Sequence, residues 1–81
     1  MNPEIERRVK QIVSNVFSIE PHDITENASP ETIEKWNSLG HMNLIVALEE
    51  EFKIQFSDLQ IIEITSLSLI VYAIRENMHG S

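Results

Sequence analysis

Apolar positions fall into helical registers along most of this chain. Ile5, Val9, Ile12, Val13 and Val16 recur at three- and four-residue intervals, which predicts a helix over about residues 3–17. Asn2 followed by Pro3 is a start signal, with Asn as cap and Pro at the first helical position. A second helix is predicted from about Ser38 to Phe52, capped by Asn37. At about 100° per residue, Leu44, Ile45, Leu48 and Phe52 share one face, assigned to the core. Leu39, Met42 and Val46 fall nearly opposite, bordered by Asn43, Glu49 and Glu50. An apolar strip edged by acids on an outer face reads as a partner site, against the plainer reading of scattered surface apolar residues. Leu67, Ile70, Val71 and Ile74 give a last helix its core face, with Thr65 or Ser66 as cap and Arg75 suiting the dipole of the final turn.

The segments between are shorter on pattern. Ser18 to Trp36 is a long connection, broken by Glu20-Pro21 and Asn27-Ala28-Ser29-Pro30. A structureless loop of that length is unfavourable, so Ile19, Ile24, Ile33 and Trp36 are expected to anchor it on the core, and Ser29-Pro30-Glu31 to start a short helical turn. Ser57-Asp58-Leu59 begins one short turn of helix within the irregular Ile54–Ile64 stretch. No run alternates long enough for a strand. The expected fold is all-α: a small four-helix bundle, three main helices plus one short helix, with a long connection between the first two.

Size and charge narrow the function. The 81 residues suffice for one small domain over 1–81, with a thin core. The absence of cysteine excludes disulfides and cysteine zinc sites, and fits a reducing, cytoplasmic setting. Met1 to Glu6 lacks the pattern of a signal peptide, and apolar runs such as Leu44 to Leu48 are far too short to span a bilayer. Thirteen acids against six bases give a net charge of −7, which disfavours nucleic acid and anionic membrane and favours partners with basic faces. No membrane insertion is expected, and the chain reads as a monomer.

Catalytic patterns do not assemble. His22, His41 and His79 are too dispersed for a metal site or a triad, so neither a catalytic residue nor a metal ligand is expected. His41 reads as a hydrogen-bonded boundary histidine, Trp36 as a loop anchor, and Glu49-Glu50-Glu51 as a solvated run. Ser38 stands apart. A serine near a helix start is ordinarily a cap, but Asn37 is able to supply that cap and leave the hydroxyl free. A free hydroxyl at the positive end of a helix is a good place for a phosphate ester.

Asn37-Ser38-Leu39 followed by Val46-Ala47-Leu48-Glu49-Glu50-Glu51-Phe52 resembles the acyl carrier protein family, with its Asp-Ser-Leu motif at the start of the second helix and an apolar stretch ending in acids and Phe. Ile24-Thr25-Glu26-Asn27-Ala28-Ser29 resembles that family's loop, and Asp58 and Ile64-Thr65-Ser66-Leu67 its later helices. The resemblance implies a 4′-phosphopantetheine arm, derived from coenzyme A, esterified to Ser38 by a phosphopantetheinyl transferase. Acyl cargo would ride on its thiol as thioesters, passed among acyl-transferring and acyl-modifying enzymes with basic docking faces, the carrier itself performing no chemistry. It further implies that Asn37, Leu39, Met42, Val46, Glu49 and Glu50 meet those partners, with Phe56 and Asp58 as contacts nearby. A short acyl chain is expected to enter between the helices of so thin a core.

Four positions depart from the family pattern: Asn37 in place of Asp, Lys53 after Phe52, and Gly40-His41 in place of a more acidic stretch. They point to a specialised carrier in a dedicated lipid or secondary-metabolite pathway, of fatty-acid or polyketide type. The alternatives are an aminoacyl or peptidyl carrier, and an unmodified acidic helical protein-interaction module.

Overall fold

The computed structural model describes residues 3–25 and 27–79. Asn2, Glu26 and the side chain of His79, which entered the sequence argument, lie outside the described residues. Four α-helices follow one another: α1 (Pro3–Phe17), α2 (Ser38–Phe52), α3 (Asp58–Glu63) and α4 (Leu67–His79). Among the described residues there is no strand. The three long helices lie where the apolar spacing predicts, and α3 where Ser57-Asp58-Leu59 starts a short turn.

α1 packs against both α2 and α4. Val9 and Val13 of α1 meet the core with Leu44, Ile45 and Leu48 of α2 and Leu67, Ile70, Val71 and Ile74 of α4, all buried. Burying each such side chain is worth about 1.5–3 kcal/mol, so this shared stripe, more than intrinsic propensity, holds the helices in place. Phe52 is half-buried and packs against this core, and the Arg8 guanidinium covers its ring 4.4 Å from the centroid. Arg8 reaches the Glu51 carboxylate at 2.8 Å and so ties the end of α2 to α1.

α1 and α2 are both followed by a residue in the left-handed region: Ser18 at φ 56° and Lys53 at φ 55°. Each lets the next amide turn back onto the helix, Ile19 to the Ser14 carbonyl at 3.1 Å and Ile54 to that of Glu49 at 3.2 Å. Lys53 is thus the residue that ends α2 in a position that glycine suits.

The long connection is anchored, not loose. Ile24 and Trp36 are buried and Ile19 and Ile33 half-buried, as their apolar character predicts. Ala28 is buried as well, and its carbonyl accepts from the amide of Leu67 at 2.9 Å, pinning the connection to the start of α4. Ser29 starts one hydrogen-bonded turn that closes at Ile33 without becoming a helix. A short 3-10 turn at Pro21–Asp23 is additional. The sequence signal there, Glu20-Pro21, reads as punctuation, yet proline at the first position also presets such a turn.

α3 is held differently from the others. Ser57 and Gln60 form a reciprocal capping box at its start. None of its own residues is buried; the flanking Phe56 and Ile64 are. Its ties to the long helices include two polar ones, Asn77 Nδ2 donating to Gln60 Oε1 at 3.2 Å and His41 Nε2 to the Ile61 carbonyl at 2.8 Å. Ser66 caps α4, its hydroxyl accepting from the Leu69 amide at 3.3 Å.

Candidate functional site

Ser38 is the first residue of α2 and is exposed. Asn37 precedes it in extended conformation, and its side-chain oxygen accepts from the Gly40 amide at 2.8 Å. The cap is therefore made by Asn37, and the Ser38 hydroxyl forms no hydrogen bond with any described residue. It stands free at the positive end of a four-turn helix.

Gly40 explains how the preceding loop comes so close. A Cβ on Gly40 would lie 2.1 Å from the Lys35 carbonyl oxygen and 2.9 Å from the Phe17 ring. Only glycine admits that approach, which brings the Lys35–Asn37 segment down over the first turn of α2 and fixes where Ser38 emerges. The Gly40-His41 pair is thus a packing device as well as a loss of acidity.

His41 sits at the edge of the same site. The Trp36 indole donates from Nε1 to His41 Nδ1 at 2.9 Å, and His41 Nε2 meets the Ile61 carbonyl at 2.8 Å. An indole nitrogen only donates and a carbonyl only accepts, so the ring carries its proton on Nε2. The His41 and Trp36 rings stack at 6.3 Å, and Trp36, 2% exposed, stacks in turn on Phe17 at 5.8 Å. Both roles read from the sequence, loop anchor and boundary histidine, match this geometry. His41 has no nitrogen left for a metal or a proton transfer. Among the described residues no group of three or more His, Asp or Glu is placed to hold a metal ion.

An open groove of about 530 Å³ starts at Ser38 and runs between α2 and α3, lined by Asn37, Trp36, His41, Met42, Ile61, Ile62, Ile64, Thr65 and Pro30. Another, of about 550 Å³, lies between Phe52–Gln55 and the end of α4 and does not include Ser38.

Leu39, 73% exposed, with Met42 and Val46 forms an apolar strip along the outer face of α2. Glu50 and Asp58 are exposed beside it. Two residues of the expected face are placed otherwise. Phe56 is 4% exposed and packs into the core, so it offers no surface to a partner. Its apolar ring, set between the ends of α2 and α3, is what turns it inward. Glu49 is half-buried, and its carboxylate accepts from the Phe56 amide at 2.9 Å. It therefore clamps the α2–α3 loop in addition to contributing charge. Ile62, 72% exposed, and Leu59 extend the apolar surface over α3. Their i, i+3 spacing was the available signal, in a stretch that otherwise reads as irregular. On α4, hydrogen bonding to the Glu76 carboxylate, then its charge, holds the exposed Tyr72 phenol above its ordinary range.

A family model described as "Phosphopantetheine attachment site" matches residues 7–74. The chain is a member of the acyl carrier protein family. The acyl carrier protein of Buchnera aphidicola subsp. Schizaphis graminum (strain Sg) is 39% identical over 54 residues, covering 67% of this chain and 68% of the relative. The solution structure of holo acyl carrier protein from Geobacter metallireducens superposes with a TM-score of 0.82 at 27% identity, covering 93% of this chain and 86% of that one. As an acyl carrier protein the chain takes a 4′-phosphopantetheine prosthetic group and handles acyl cargo for acyl-processing enzymes. The fit to such a group rests on this molecule's own features: a free hydroxyl at a helix start, with an open groove leading from it.

Proposed function

We propose that Ser38 carries the 4′-phosphopantetheine arm and that this carrier presents acyl thioesters to enzymes docking on the outer face of α2, in a dedicated lipid or secondary-metabolite pathway. The observation that carries this reading is the division of labour at the helix start. Asn37 caps α2, and Ser38, exposed beside it, is left with an unengaged hydroxyl. When bound, the arm supplies a terminal thiol that a chain without cysteine lacks. The chain's residues supply position and recognition. The Ser38 oxygen becomes the ester oxygen at the positive end of α2, where a phosphate diester's charge is favoured. Leu39, Met42 and Val46 present apolar contact, and Glu50 with Asp58 presents charge to a basic partner face. Asn37 in place of an acid removes one charge beside Ser38, which supports a carrier matched to its own transferase and pathway enzymes.

The test uses the absence of cysteine. Before modification the protein has no thiol. Incubation with coenzyme A and a phosphopantetheinyl transferase should give one titratable thiol per chain, and Ser38→Ala should stay at none. A thiol gained by Ser38→Ala would overturn the assignment.

A further inference from the structure

We infer that the groove between α3 and α4 is a second docking surface, separate from the outer face of α2, and that it takes an amphipathic helix of a partner protein whose leucine-like side chains are flanked by lysine or arginine. The inference stands apart from the proposed role of Ser38 and does not depend on it.

α3 is a ridge between two grooves. Ile61 packs against the core, and Ile62 lines the groove that starts at Ser38. On the other side of the ridge, Leu59 and Glu63 join Leu69, Tyr72 and Glu76 of α4 around a separate groove of about 250 Å³. Leu59 is 64% exposed, Tyr72 59% and Leu69 41%, so three large apolar side chains meet solvent around one hollow. Among the described residues only Ile64, itself buried, lines both grooves, so an occupant here leaves Ser38 uncovered. The volume is below the roughly 300–1,000 Å³ of small-ligand pockets, which favours inserted side chains over a free small molecule. An apolar hollow between two helices suits the ridge of a third.

Charge selects the partner. Glu63 and Glu76, both exposed, line the groove, and no basic side chain does. The Tyr72 phenol donates to the Glu76 carboxylate, which sets both groups at the groove's edge. Arg75, whose charge also acts on Tyr72, is not part of the lining. Apolar contact inside a rim of acids fits leucine-like anchors flanked by bases. A second copy of this chain fits poorly. The apolar strip on its α2 is edged by the exposed acids Glu50 and Asp58, and the whole chain carries −7, so acids would meet acids.

The probe is a synthetic helical peptide with leucine along one face and lysine at its flanks, titrated into the full chain. Its counterpart with glutamate for lysine is the control. Tyr72 is the chain's only tyrosine, so its ring resonances report binding at this groove alone. The lysine peptide should shift them together with the amides of Leu59, Glu63, Leu69 and Glu76. Leu69→Ser should raise the Kd read at Tyr72 about tenfold. Glu63→Gln combined with Glu76→Gln should raise it severalfold and flatten its dependence on salt. Leu69 is exposed, so Leu69→Ser should keep the parent's urea midpoint; Leu59→Ser, with the same expected loss of binding, replaces it should it fail to fold. Tyr72 unmoved by the lysine peptide would overturn the docking surface. Equal binding of the glutamate peptide would overturn the basic partner. Tyr72 shifts that grow with protein concentration in the absence of peptide would make a second copy the occupant and overturn the proposal. Loading of Ser38 from coenzyme A, read by intact mass, tests the proposed function separately. Leu69→Ser should load at the parent's rate, and slower loading would overturn the groove as a surface separate from α2.

Discussion

Asn37 holds the Gly40 amide on its side-chain oxygen at 2.8 Å, and through that contact it relieves Ser38 of the capping role. Asparagine and aspartate cap about equally, so Asn37→Asp should leave the urea midpoint nearly unchanged, whereas Asn37→Ala should cost about 1 kcal/mol. Asn37→Asp should also speed modification by a transferase with a basic docking site, because it adds a charge beside the reacting hydroxyl. An unchanged or slower initial rate would show that the asparagine is matched to its own transferase.

Gly40 faces the Lys35 carbonyl oxygen across a gap that a methyl group would violate, at 2.1 Å. The clashing atom is backbone, which cannot swing aside. Gly40→Ala should therefore destabilise by about 1–3 kcal/mol or more, despite the better helix propensity of alanine. Equilibrium urea unfolding decides this; a stability equal to or above the parent's would contradict the packing argument.

The sequence displayed the long helices clearly, because Val9, Val13, Leu44, Leu48, Ile70 and Ile74 each lie on a three-four spacing that only a helix buries together. Ser38 was legible for a different reason: Asn37 beside it made its capping role redundant. What escaped was set by contacts between distant residues. Nothing local tells that Phe56 turns inward or that Glu49 bonds the Phe56 amide, since both depend on how the α2–α3 loop closes. The tie of His41 to Ile61 spans twenty positions and has no pattern along the chain. Gly40 was visible as a glycine, but the approach of Lys35 that requires it was not.

Glu49 and Glu50 should behave differently although they are neighbours. Glu49→Ala leaves the amide of buried Phe56 without its acceptor and should cost about 1–3 kcal/mol. Glu50 is exposed, and Glu50→Ala should change stability by no more than about 0.5 kcal/mol. Stopped-flow association with the cognate transferase should instead be slower for Glu50→Ala, with a flatter dependence on salt. Equal urea midpoints for the two variants would refute the distinction.

Met42 lies exposed between Leu39 and Val46, where docking would desolvate it. Met42→Glu should mainly raise the rate of dissociation from the transferase, with folding stability almost unchanged. Dissociation at the parent's rate would move the docking face away from the outer side of α2.

The central claim is the site of the arm, and one peptide tests it. Trypsin cuts after Lys35 and Lys53, releasing residues 36–53, whose only side-chain hydroxyl is Ser38. After modification with coenzyme A and a transferase, peptide mass mapping should find the whole added phosphopantetheine mass on that fragment and on no other. The same mass on a peptide carrying Ser57, Thr65, Ser66 or Ser68, with residues 36–53 unmodified, would contradict the account.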